Sequence, residues 1–133
     1  GSGVLEAYGA TNTTINTDDL SSSGSDDYIS IHASAGNWWD DNNAEKSTAI
    51  AFDKSILNTG AGNDQNYLIA NATGTKTYAY GALDSIINTG AGHDNLHINA
   101  NANDSTNWGA AVGLSNTVLD FGAGIDVLHL SAN

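Results

Sequence analysis

A ten-residue string recurs three times in one register, and this repetition restricts the available folds more than any other feature of the chain. Ser55-Ile56-Leu57-Asn58-Thr59-Gly60-Ala61-Gly62-Asn63-Asp64 is matched by Ser85-Ile86-Ile87-Asn88-Thr89-Gly90-Ala91-Gly92-His93-Asp94, and again by Thr117-Val118-Leu119-Asp120-Phe121-Gly122-Ala123-Gly124-Ile125-Asp126. The first glycine advances from Gly60 to Gly90 to Gly122, steps of 30 and 32 residues. A degenerate fourth copy lies upstream: Thr13-Thr14-Ile15-Asn16-Thr17, then Ser23-Gly24-Ser25-Asp26-Asp27. Fixed periods of this length signal repeat architectures.

The match extends to both sides of each turn. After it come Ile29-Ser30-Ile31-His32-Ala33, Asn66-Tyr67-Leu68-Ile69-Ala70, Leu96-His97-Ile98-Asn99-Ala100 and Leu128-His129-Leu130-Ser131-Ala132. Before it, Glu6-Ala7-Tyr8-Gly9-Ala10 resembles Tyr78-Ala79-Tyr80-Gly81-Ala82, with Ala110-Ala111-Val112-Gly113-Leu114 a looser copy and Ile50-Ala51-Phe52 a shortened one. Each unit therefore holds three short strands with period-two alternation, and no stretch carries a helix period. One unit cannot bury its own apolar side, but stacked units can, with equivalent positions forming ladders about 4.8 Å apart.

The expected fold is all-β: a right-handed parallel β-helix or β-solenoid of about four coils, each of roughly 30 residues and three short strands. The coils are read as 4–35, 47–72, 75–102 and 107–133, with an inserted loop at 36–46, in one domain spanning 1–133. Inward ladders are expected at Ile15/Leu57/Ile87/Leu119, Ile31/Leu68/Ile98/Leu130, Ala33/Ala70/Ala100/Ala132 and Ala7/Ala51/Ala79/Ala111. An amide ladder at Asn16/Asn58/Asn88 with Asp120 is a further expectation, because stacked amides bond along the stack. An antiparallel sandwich is the alternative, but hairpins do not explain a repeat of about 30 residues in full register. The absence of proline suits a backbone whose donors are committed to ladders.

Charge narrows the partners. Three lysines, no arginine and 15 acidic residues leave a formal net charge of −12. Nucleic acid and anionic membranes are disfavoured, since both need basic patches. No apolar run is long enough to span a bilayer. There is no cysteine, and no secretory signal opens the sequence. Gly1-Ser2-Gly3 reads as an added leader and the chain as a piece of a longer one.

Gly60-Ala61-Gly62-Asn63-Asp64 and its two counterparts are Gly-x-Gly-x-Asp turns. The glycines permit positive φ and turn carbonyls toward one point, and each Asp places a carboxylate at the same height in its unit. Between stacked turns a cation would meet carboxylate and carbonyl oxygens from both, an all-oxygen environment suited to Ca²⁺. Without a cation the stacked carboxylates repel, so binding should be coupled to folding. The competing reading is a row of tight corners in which Asp merely caps the turn.

These turns resemble the RTX family, the Gly-Gly-x-Gly-x-Asp-x-hydrophobic-x repeats of bacterial proteins exported by type I secretion. Gly90 to Ile98 and Gly122 to Leu130 carry the resemblance best. It implies a parallel β-roll with Ca²⁺ as cofactor, held by the side chains of Asp64, Asp94 and Asp126. The carbonyls of Gly60, Gly62, Gly90, Gly92, Gly122 and Gly124 would be companions, and Asp26 or Asp27 would extend the row. It also implies a secreted or cell-surface location, adhesins and exoenzymes among the parent types, with neighbouring domains of the same chain as partners. The departures are alanine at the family's second glycine, Asn66 at a hydrophobic position, and one motif per unit of about 30 residues.

Three function classes follow. The first is a calcium-stabilised structural module of a larger extracellular protein. The second is a module binding carbohydrate or another surface polymer through the inserted loop, where Trp38 and Trp39 would stack a sugar ring beside Asp40 and Asp41. Ice binding by an outward Thr17/Thr59/Thr89 row is a weaker variant, broken at Phe121. The third, an enzyme, is not expected: there is no nucleophile elbow, no zinc-protease motif and no converging acid/base pair, and without proline no Asp-Pro self-cleavage. His97 and His129 should align on one outward row behind Tyr67, while His32 and His93 show no partner in sequence.

Overall fold

The computed structural model describes residues 5–17, 24–36, 46–106 and 108–133. The first repeat contributes β1 (Leu5–Thr11), β2 (Thr14–Asn16) and β3 (Tyr28–Gly36). The second contributes β4 (Ser47–Asp53), β5 (Ile56–Asn58) and β6 (Gln65–Gly74). The third contributes β7 (Thr77–Leu83), β8 (Ile86–Asn88), β9 (Ala91–Gly92) and β10 (Asn95–Asp104). The fourth contributes β11 (Ala110–Ser115), β12 (Val118–Asp120), β13 (Ala123–Gly124) and β14 (Val127–Ala132).

Equivalent strands of successive repeats lie side by side. They form three four-stranded sheets, β1-β4-β7-β11, β2-β5-β8-β12 and β3-β6-β10-β14, and a two-stranded ribbon β9-β13 at the turns. Every pairing among these strands is parallel. The antiparallel sandwich is thereby excluded for the described residues, and the all-β, parallel arrangement is compatible with a β-solenoid. Among the described residues there is no helix, hence none long and apolar enough to cross a membrane.

The core lies between the sheets and is built of rows. Ile15/Leu57/Ile87/Leu119, Ile31/Leu68/Ile98/Leu130 and Ala33/Ala70/Ala100/Ala132 pair in the expected register. The fourth expected row is corrected: Ala7 pairs with Ala49, not Ala51, and Ala49 with Ala79 and Ala111 in turn. Ala51 falls two places on, level with Gly9, Gly81 and Gly113. A Cβ at Gly81 would meet the Ile98 side chain, and one at Gly113 the Leu130 side chain. The larger residues of the facing sheet occupy the space those glycines leave open. Next in the row, Ala10/Phe52/Ala82/Leu114 puts the bulky Phe52, fully buried, against small neighbours, the volume exchange a dense core requires.

Polar rows lock the register. Asn58 Nδ2 donates to Asn16 Oδ1 at 2.7 Å, as expected of an amide ladder. A second amide ladder escapes the sequence reading: Asn101 Nδ2 donates to Asn71 Oδ1 at 2.8 Å, and Asn133 Nδ2 to Asn101 Oδ1 at 3.3 Å. The corner after each first strand takes the left-handed conformation at Asn12, Lys54, Asp84 and Asn116, with φ between 45° and 49°. Asparagine and aspartate tolerate that region best. Gly36 ends β3, and the Lys46 carbonyl accepts the Leu5 N–H at 3.2 Å, so both edges of the expected 36–46 loop belong to the stacked structure. Trp38, Trp39, Asp40 and Asp41 lie outside the described residues.

Candidate functional site

Each glycine turn ends one short strand and begins a long one. The alternation Leu57 in, Asn58 out, Thr59 in breaks at the positive-φ glycines Gly60 and Gly62, and the shift of phase in the turn delivers Asp64 to the interior. Thr59, Thr89, Asp64 and Asp94 are buried, at 0–1% exposure. The Thr17/Thr59/Thr89 row therefore faces inward and offers no outer ice-binding surface. The register resolves the ambiguity in the first repeat as well. Tyr28 pairs with Gln65, which sets Asp27 level with Asp64 and Asp26 level with Asn63. Asp27 joins the inner row, while Asp26 is exposed and accepts the Asn63 N–H at 2.7 Å.

The inner aspartates are linked repeat to repeat. Asp64 Oδ1 accepts the Asp27 N–H at 2.8 Å, Asp94 Oδ1 the Asp64 N–H at 2.9 Å, and Asp126 Oδ1 the Asp94 N–H at 3.0 Å. One oxygen of each carboxylate is thus committed to the neighbouring backbone. The second oxygen is not: Oδ2 of Asp27, Asp64 and Asp94 is buried without a hydrogen-bond partner. The Thr17 hydroxyl and both amide atoms of Asn66 are orphaned in the same way. Asn66 is fully buried two residues beyond Asp64 on the same side of β6, in a row otherwise made of Ile29, Leu96 and Leu128.

Burial pushes the Asp64 carboxyl above its ordinary range. The Thr59 hydroxyl and the Asp27 N–H pull it down, and the Asp94 and Asp27 charges push it up again. Unpaired buried carboxylate oxygens are expensive, and a proton, a cation or a buried water at each would lower that cost.

The glycine carbonyls named from sequence are partly engaged. Gly60 O accepts the Ala91 N–H at 2.8 Å, and Gly90 O the Ala123 N–H at 3.0 Å. A carbonyl has two acceptor sites, so these bonds leave one free. Gly60, Gly62, Gly90, Gly92, Gly122 and Gly124 all have positive φ, between 68° and 153°. Among the described residues no group of three His, Cys, Asp or Glu side chains converges on one point. The carboxylates are strung along a row, so a cation there would meet two at a time, with hydroxyl, amide or carbonyl oxygens making up the rest. That donor set is all oxygen and suits calcium rather than a softer metal.

The histidines find partners that sequence did not supply. His93 Nδ1 accepts the Ile125 N–H at 3.0 Å, the same link as Asp26 to Asn63 two repeats further along that outer row, and His32 shares a 2.9 Å hydrogen bond with the Ser30 hydroxyl. His97 and His129 stack with centroids 4.4 Å apart, and Tyr67 stacks on His97 at 4.6 Å. An open groove of about 490 Å³ runs beside them, lined by Tyr67, Ile69, His97, Asn99, His129 and Ser131. Parallel stacked imidazoles aim their lone pairs side by side rather than at one point, which does not make a chelate.

Burial, and then the neighbouring His129, hold the His97 pKa below its ordinary value of 6.5. Its neutral form is favoured in the folded state, so its contribution is intact above pH 6.5 and is lost as pH falls from there through the lower folded-state value. Melting temperature should fall on acidification from neutrality, and less steeply in His97→Gln; equal slopes in the two proteins would refute this.

Compared with protein-family models, curated proteins and solved structures, the chain gives no match. The likeness to RTX repeats therefore rests on the turn motifs alone.

Proposed function

We propose that the chain is a calcium-binding, calcium-stabilised structural repeat module of a larger secreted or cell-surface protein, folded as a single right-handed β-solenoid of four coils. The hand follows from the near-universal right-handedness of crossovers between parallel strands. The observation that carries the calcium reading is the inner row of Asp27, Asp64 and Asp94, each with a buried Oδ2 that lacks a partner. A divalent cation between adjacent repeats would neutralise two carboxylates and occupy those oxygens, with Thr17, Asn66 and the turn glycine carbonyls as further donors. Absence of arginine and a net charge of −12 leave the chain poorly able to neutralise itself. A chain that folds only where calcium is abundant suits an extracellular setting.

The test is thermal melting and circular dichroism across a calcium titration. Calcium at a hundredfold excess over its dissociation constant should add about 2.7 kcal/mol per site. Magnesium at the same concentration should add far less, because it demands tighter octahedral geometry. Identical melting in chelator and in calcium would reject the reading.

A further inference from the structure

The chain has 15 acidic residues and three lysines, yet one broad face carries none of them. Outward positions of the β3-β6-β10-β14 sheet alternate with buried ones along its central strands. Across all four strands those outward positions hold hydroxyls, amides, imidazoles and a few aliphatic groups, with no carboxylate and no ammonium. Asp104 closes β10, but its Oδ2 turns to the neighbouring strand and accepts the Thr77 N–H at 3.0 Å. The other two four-stranded sheets differ, with Glu6 exposed on one and Asp120 on the other. The face does not depend on where the stack ends, because β6 and β10 are each flanked by paired strands.

Two rails cross this face from repeat to repeat. Tyr67, His97 and His129 form a ring stack with centroids 4.6 and 4.4 Å apart and planes 13° from parallel. Their ring faces are used on one another, so the stack presents edges outward. Four residues along the strands, about 13 Å away, Asn71, Asn101 and Asn133 form the amide ladder, with Nδ2-to-Oδ1 bonds of 2.8 and 3.3 Å. An amide has two N–H donors and an oxygen with two lone pairs, so Asn101 keeps one donor and one lone pair for a ligand. Between the rails lies the row Ile69/Asn99/Ser131. Stacking holds one rail and hydrogen bonds the other, so little side-chain freedom is left to lose on binding.

We infer that this face binds an extended, neutral polysaccharide laid across the strands between the two rails. Its hydroxyls would exchange hydrogen bonds with the free amide groups of the Asn101 row and with the ring edges of Tyr67 and His97. The rows repeat at the strand spacing, about 4.8 Å, close to the advance of one β-linked hexose along an extended chain. A net charge of −12 repels anionic polymers, and a cationic polymer finds no carboxylate on the face. The inner aspartates lie on the opposite side of the sheet, so this surface and the calcium row can be tested apart.

Native affinity electrophoresis in calcium-containing gels is the test. Mixed-linkage β-glucan, glucomannan and galactomannan serve as neutral probes, and carboxymethyl cellulose as the anionic one. At least one neutral polymer should slow the protein relative to a polymer-free gel, and carboxymethyl cellulose should not. Asn99→Glu puts a charge between the rails and should weaken binding at least about tenfold, as an unpaired charge covered by a ligand does. Ile86→Glu puts the same charge on another outer face, at a position 45% exposed, and should bind like the parent. Thermal melting in calcium verifies that both variants fold. If Asn99→Glu does not, His129→Glu at an exposed position of β14 carries the same test.

No retardation by any neutral polymer, retardation by carboxymethyl cellulose alone, or an equal loss in Ile86→Glu would overturn the inference. So would concentration-dependent dimers in polymer-free buffer that Asn99→Glu abolishes, since a second copy would then cover the face. None of these outcomes touches the calcium reading, which is decided by melting with and without chelator.

Discussion

Gly92→Ala is expected to destabilise the protein by more than about 3 kcal/mol, beyond what most single substitutions do. Gly92 sits in the turn of the third repeat at φ 152°, a conformation L-residues rarely adopt. Strain of that kind costs on the order of 1–3 kcal/mol by itself. The added Cβ would also collide with the Gly62 carbonyl of the repeat before it. Neither backbone can retreat, because the Gly62 N–H donates to Ala91 O at 2.9 Å and the Ala91 N–H to Gly60 O at 2.8 Å. The same collision is set up at Gly124 against Gly92 O. In the first repeat Ser25 takes this position, and no described repeat lies beneath it. Glycine is thus required at Gly62, Gly92 and Gly124, where each turn rests on the one before it. Ala91→Gly at the neighbouring, exposed site should cost only about 0.5–1 kcal/mol. Chemical denaturation of the two variants would decide the matter; similar losses would show that the close approach is not the cause.

The rows most legible in sequence were those where alternation and repeat spacing agree. Leu57, Ile87 and Leu119 share both, and their register is as expected. Ala51 was misplaced because β4 lacks the glycine found in the other first strands, leaving Ile50-Ala51-Phe52 to be aligned on alanine alone. Phe52 hides the true register by filling space that Ala10 and Ala82 leave in neighbouring repeats. The inward threonines were readable in principle, since the alternation set by Leu57 already assigns Thr59 to the interior. Links such as Ile125 N–H to His93 Nδ1 were not, because a bond from backbone to side chain across repeats leaves no mark in either residue's local pattern. The aspartate row was visible as a row, but its split into one bonded and one orphaned oxygen is a property of packing.

That split separates calcium binding from a merely structural aspartate ladder. Asp94→Asn keeps an oxygen to accept the Asp64 N–H, now made at 2.9 Å, and removes a buried charge. In chelator the variant should be at least as stable as the parent, because an amide costs less to bury than a lone carboxylate. In calcium the order should reverse. Asp94 belongs to two steps of the row, toward Asp64 and toward Asp126, so its loss weakens both. The variant should forfeit most of the calcium-dependent gain, about 2.7 kcal/mol for each site lost at a hundredfold excess of calcium. Asp27→Asn, which touches one step only, should forfeit about half as much. Asp94→Leu removes charge and acceptor together and should be the least stable of the three in chelator, because the Asp64 N–H is then buried without a partner, at about 1–3 kcal/mol. Denaturant melts of these variants with and without calcium give the answer. If Asp94→Asn keeps the parent's calcium response, the inner carboxylates are ladder residues and the cation lies elsewhere. If it is less stable than the parent in chelator, the buried charge is not the burden that calcium relieves.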